Sequence, residues 1–124
     1  MSTELEKLEH QPTNAALQQE VHQLRLSLTN RMDAMNHNMI ARIVNASLHN
    51  ANDQLVALVN PHTNAPVEEF PDNSATLAGL SWAEKRALGI SLAMNDPGAG
   101  PGPAARATFF AQLRITIGLK PNPA

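Results

Sequence analysis

Five histidines, His10, His22, His37, His49 and His62, are the side chains here best suited to metal or proton chemistry. A metal site on a helix needs ligands three or four residues apart, so that both project from one face; no two of these histidines have that spacing. Asp33 and His37 do, as a ligand pair or a pH-sensitive contact, although a solvated i, i+4 pair is the plainer reading. Gly98-Ala99-Gly100-Pro101-Gly102 precedes a helical pattern, as phosphate-cradling loops do. It lacks their Lys-Ser/Thr, no strand leads into it, and proline deletes amide donors, so it reads as a connector. No Ser sits in a nucleophile elbow, the carboxylates are scattered, and there is no Cys for a thiolate or a disulfide. No catalytic, cofactor or metal residue is assigned, and the chain reads as a non-enzyme.

A stronger signal lies in apolar spacing. Leu17, Val21, Leu24, Leu28, Met32, Met35, Met39, Ile43 and Ala46 recur at steps of four and three through an otherwise polar stretch. Leu17, Leu28 and Met39 form one row of this pattern, Val21, Met32 and Ile43 a second, and Leu24, Met35 and Ala46 a third. Each row advances by eleven residues, about 3.67 per turn, so the stripe runs almost straight along a helix with a weak right-handed drift. A narrow seam on a long helix cannot bury itself. It predicts a homo-oligomeric coiled coil, parallel or antiparallel, with these nine residues as the oligomerisation set. The competing arrangement folds the helix back on its own C-terminal helices, but those are too short to cover its length. Met32, Met35 and Met39 can serve as a plastic binding surface or as core filler; filler is the simpler role.

The element that positions this seam is a helix from about Ala15 to about Leu48. Nothing from Ala15 to Leu58 is Gly or Pro, so it can extend to about Val59, where Asn60-Pro61 stops it. Thr13 or Asn14 can cap its start. Ile40 and Val44 widen the apolar surface toward its end, as where a helix meets a globular part. Residues 60–73 hold Pro61, Pro66 and Pro71 and form an extended connection anchored by Val67 and Phe70. Ser74 can cap a short helix containing Leu77 and Leu80. Ser81 and Glu84 make a capping box for a helix running to about Met94. Asn95 to Pro103 is irregular; Pro103 opens a last helix to Ile117, with Gly118 after its end, Leu119 as hydrophobic contact and Pro121 as the stop. The expected fold is all-α: a polar lead (1–14), a long oligomerising helix (15–59), a Pro-rich connector (60–73) and a small helical C-terminal domain (74–124).

Charge narrows the partners. Charged residues are 16% of the chain, below the ~25% of typical domains, and the net charge is −2, so no bulk positive field draws in nucleic acid. A local patch remains. Two short helices joined by a long loop over Ser81–Ile117 resemble a SAP-type nucleic-acid-binding hairpin, and Lys85, Arg86, Arg106, Arg114 and Lys120 would then contact phosphates. Ordinary surface charge on a small helical cap is the alternative. Trp82 with Phe109 or Phe110 would anchor a partner if exposed and the core if not. Glu4, Glu6, Lys7 and Glu9 are followed by no apolar run, and none approaches a membrane span, so the expected location is intracellular, cytoplasmic or nuclear.

The stretch from Ala41 to Lys120 resembles a family of small fungal proteins sharing a C-terminal domain of the meiotically up-regulated (Mug) type. The resemblance is carried by Ala41-Arg42-Ile43-Val44-Asn45, by Pro61 to Pro71 ending in Phe70-Pro71, by Leu77 with Leu80, and by Leu113-Arg114 with Ile117-Gly118-Leu119. Asn64-Ala65 stands where the family has a Thr-Gly turn, and the loop at Asn95–Pro103 is longer. The resemblance implies a fungal intracellular protein with a helical region before the domain, and no catalytic residue. The sequence therefore predicts a non-enzymatic oligomeric scaffold partnered by itself and open to another protein, with an oligomeric nucleic-acid-binding module as the alternative.

Overall fold

The computed structural model describes residues 14–122. Residues 1–13 of the polar lead, with a cap at Thr13, lie outside the described residues, and Asn14 is the first residue of the long helix. Within them the chain is helical: α1 (Asn14–Ala46), α2 (Ser74–Ala78), α3 (Trp82–Ser91) and α4 (Pro103–Ile117), with one isolated bridge between Val59 and Pro66 and no strand.

At 33 residues α1 is about 50 Å long, as its unbroken run without Gly or Pro allows. It ends at Ala46, so residues 47–59 are not part of the long helix. No local breaker stops it. Asp53 Oδ2 accepts the amides of His49 and Asn50 and turns the chain. The segment 55–59 then runs back along α1, held by two asparagine side chains. Asn38 Oδ1 accepts from Val59 N at 2.8 Å while its Nδ2 donates to Val59 O at 2.9 Å. Asn45 repeats the arrangement on Val56, at 2.7 and 3.0 Å, and its second amide proton goes to Ile117 O at 2.9 Å. The spacing explains why two asparagines suffice. Seven helical residues rise ~10.5 Å and three extended ones ~10 Å, so Asn38 and Asn45 meet Val59 and Val56 in register. Both side chains are buried, at 2% and 1% exposure, with every hydrogen-bonding group engaged.

Ala34 and Ala41 complete this face of α1, and their small size lets the backbones approach. The core against it comprises Ala41, Leu55, Leu58, Leu77, Leu88, Leu92, Leu113 and Ile117, flanked by half-buried Val67, Phe70, Met94 and Phe110. Val67 and Phe70 thus anchor the proline-rich connector as expected.

The capping box forms: Ser81 Oγ accepts from Glu84 N and Glu84 Oε1 accepts from Ser81 N. Helix α2 is capped by Asn73, whose side chain accepts from Thr76 N, and not by Ser74, its first residue; Leu80 lies beyond it. Helix α3 stops at Ser91 rather than Met94. Ala93 adopts a left-handed φ of 65°, and Met94 N donates back to Gly89 O at 2.9 Å. That is a Schellman turn built on Ala where Gly is usual, so composition gives no stop signal. Helix α4 ends as read. Gly118 has φ 107°, Leu119 N donates to Arg114 O at 2.8 Å, and Gly118 N donates to Ile115 O at 3.0 Å. A Cβ on Gly118 would lie 2.5 Å from Arg42 O, so this glycine also permits α4 to touch α1 backbone to backbone. Arg42 Nε donates to Thr116 O at 2.6 Å beside it.

Candidate functional site

The C-terminal domain occupies only the Ala34–Asn45 face of α1. The predicted seam lies on another face and nothing in the described chain covers it. Leu17, Val21, Leu24, Leu28, Met32, Met35, Met39 and Ile43 are each between 44% and 65% exposed, and Ala46 is exposed as well. Eight large side chains about half exposed leave on the order of 800 Å² of apolar surface, more than the 300–600 Å² patch of a typical monomer and what one partner gives to a standard interface. Ile40 and Val44 add to it near the domain. All nine seam residues lie on α1.

The cationic set is dispersed into contacts within the chain. Arg86 forms a two-pronged ion pair with Asp96, Nε to Oδ1 at 2.7 Å and Nη2 to Oδ2 at 2.8 Å. That pair, aided by the Gly98 amide, holds the Asp96 carboxyl down at about 2. Arg106 Nε donates to Pro101 O, and its guanidinium lies 5.2 Å from the Trp82 ring. Lys85 Nζ sits 4.1 Å from the centre of the Phe110 ring. Arg114 is buried at 4% exposure; its Nε donates to Lys120 O and its Nη1 to Ser74 Oγ. Burial lowers its pKa, and its place in the last turn of α4 sets its charge against the helix C-terminus. Of the five, Lys120 is exposed with only its carbonyl engaged.

Of the aromatic candidates Phe109 is buried, while Trp82 and Phe110 are half-buried. Phe109 is 7% exposed and meets Trp82 edge to face at 5.3 Å, while Trp82 Nε1 donates to Ala99 O and pins the glycine-rich loop. His37 Nε2 is 2.8 Å from Ala57 O, a donor contact in the tautomer protonated there, so His37 joins the asparagines in holding segment 55–59. Among the described residues no group of three or more His, Cys, Asp or Glu could hold a metal. A cleft of about 310 Å³ opens between the ends of α1 and α4, lined among others by Asn45, His49, Asp53, Ser74 and Arg114. Its charged groups serve the fold: Asp53 caps the turn and Arg114 ties α4 to Ser74 and Lys120.

Sequence reasoning missed the buried Ala34-Asn38-Ala41-Asn45 face. Its signal was present, since those positions also step by four, three and four, but Ala and Asn do not read as a core. No described helix is long and apolar enough to cross a membrane. No family model, no curated protein and no solved structure matches the chain.

Proposed function

We propose that this chain is a non-enzymatic self-associating scaffold: the seam of α1 packs against copies of itself, and the assembly displays the small helical domain. The uncovered apolar face carries this reading. Residues 17–33 of α1 are exposed throughout, and an isolated helix of about that length is marginal in water. Association removes both costs together, because it buries the seam and props the helix that carries it. A second copy is the natural occupant, since a seam of regular 11-residue step is complementary to itself.

The nucleic-acid reading has less to draw on. Four of its five cations already have partners in the chain, and phosphate contact would compete with them.

Solution molar mass with circular dichroism tests the proposal. The wild-type chain is expected to be a multiple of 13.4 kDa at micromolar concentration. Replacing Leu24 and Leu28 with Asp should return it to monomer and lower its helicity. A monomeric wild type keeping its full helix content, with the seam covered by its own lead or by solvent, overturns the reading.

A further inference from the structure

We infer that the copies of α1 lie parallel and in register, so that the displayed domains gather at one end of the rod. This rests on the self-association proposed above and gives it a direction. Two features of α1 lead there.

The first is the changing width of its apolar surface. From Leu17 to Leu28 the seam is flanked by Gln18, Glu20 and Arg25, with Leu26 at 46% exposure farther round the helix. From Met35 to Val44 it broadens, because Ile40 at 62% and Val44 at 38% exposure stand beside Met39 and Ile43. Parallel packing sets Ile40 and Val44 level with the Met35–Val44 stretch of the neighbouring chain. A head-to-tail alignment that keeps the seam in contact turns about Asn30, because Leu17 then meets Ile43 and Val21 meets Met39. It brings Ile40 and Val44 level with the stretch from Ala16 to Glu20, where Gln18 stands on the matching flank. Only the parallel direction keeps Ile40 and Val44 level with the broader apolar stretch of the next chain.

The second is charge. At about 100° per residue, Glu20 and Arg25 fall on opposite flanks of the seam at similar distance from its centre. Opposite flanks meet in a parallel pair, so Glu20 of one chain faces Arg25 of the next, five residues on, and symmetry repeats the contact. Same-side flanks meet in an antiparallel pair. Glu20 then faces Arg42, whose Nε is already given to Thr116 O, and the same alignment sets Arg31 against Arg31 of the other copy. Such contacts add little stability but discriminate direction.

The chain has no cysteine, so single nitroxide labels are clean. Gln19→Cys and Asn30→Cys are eleven residues apart and point the same way, off the seam, from exposed positions. Pulsed dipolar spectroscopy on the full chain should give the same label separation for both variants. Head-to-tail packing adds ~33 Å along the axis at Gln19 and almost nothing at Asn30. A Gln19→Cys separation exceeding that of Asn30→Cys by more than ~10 Å, in samples of oligomeric mass, overturns the parallel arrangement and leaves self-association standing. Monomeric mass with no dipolar coupling in either variant overturns both. As a label-free check, Glu20→Lys and Arg25→Glu should each lower the oligomeric fraction and the double exchange should restore it; no restoration counts against the parallel contact.

Discussion

Asn45→Ala tests the joint on which the whole fold depends. The Asn45 side chain makes three hydrogen bonds that tie α1 to the returning segment and to the end of α4. Removing it takes the acceptor from Val56 N and donors from Val56 O and Ile117 O, in a place where water replaces them poorly. Each bond contributes ~1 kcal/mol net, and up to ~3 kcal/mol where its partner is left buried and unsatisfied, so three bonds make the expected loss about 3–5 kcal/mol. Asn38→Ala breaks two bonds and should cost about 2–3 kcal/mol. Against the ~5–15 kcal/mol that holds a typical domain, the first loss is severe. Urea unfolding at fixed protein concentration measures both. The single tryptophan, Trp82, reports the transition because its ring is packed on Phe109 in the domain. Asn45→Asp adds a chemical check. At neutral pH its carboxylate faces two carbonyl oxygens that Asn45 now serves as donor, so its folded pKa must rise above the unfolded value. Its contribution is then fully present below the unfolded pKa of ~3.9 and lost as pH rises through the folded one, so this variant, compared with wild type, should fare better near pH 4 than pH 7. If Asn45→Ala costs under ~1 kcal/mol, or less than Asn38→Ala, the asparagine clamp is not what closes the fold.

Three further outcomes follow from the same structure. Gly118→Ala combines a left-handed φ of 107° with a Cβ 2.5 Å from Arg42 O and should cost about 3 kcal/mol or more, whereas Gly79→Ala, with only ordinary contacts, should stay within about 1 kcal/mol in the same urea assay. The Asp96 carboxyl, held to about 2 against an ordinary 3.8, contributes above 3.8 and loses that contribution as pH falls toward 2. Asp96→Asn should therefore flatten part of the acid limb of a stability–pH curve, and raised salt should shrink the difference. In Leu24→Asp/Leu28→Asp the association-dependent helicity should disappear while Trp82 emission stays native, because those residues are absent from the domain core; loss of both signals together would mean that the domain needs the rod.

Local chemistry was legible in the sequence and tertiary chemistry was not. The Ser81–Glu84 capping box, Pro103 at the start of α4 and the Gly118-Leu119 ending are each decided within a turn of backbone, and each formed as read. The end of α1 at Ala46 is decided eleven residues away, by the bonds between Asn45 and Val56, and no residue near Ala46 announces it. Likewise Ala93 closes α3 in a conformation that Gly would have advertised. Arg114 shows the same limit on charge: in sequence it stands among five basic residues suited to phosphate contact, yet it is buried between Ser74 and the Lys120 carbonyl. The seam was legible because its pattern repeats over 30 residues from Leu17 to Ala46, while the second face shows only four small or polar residues.

The two faces of α1 divide their work in an unusual direction. A helix bound for its own domain ordinarily turns its large aliphatic residues inward. Here Ala34, Asn38, Ala41 and Asn45 go to the domain, and Leu24, Leu28, Met32, Met35 and Ile43 stay outside it. Hydrogen bonds are geometrically exacting, so the Asn face fixes one register of segment 55–59 and leaves few alternative partners for it. Apolar contact is less discriminating, and its worth scales with area. Had the aliphatic face been used for the domain, the asparagines would face water and nothing would remain to hold a second chain. With the polar clamp turned inward, the domain is fixed without the aliphatic face, so under the proposed self-association mutations on the two faces should act independently, one on domain stability and the other on mass.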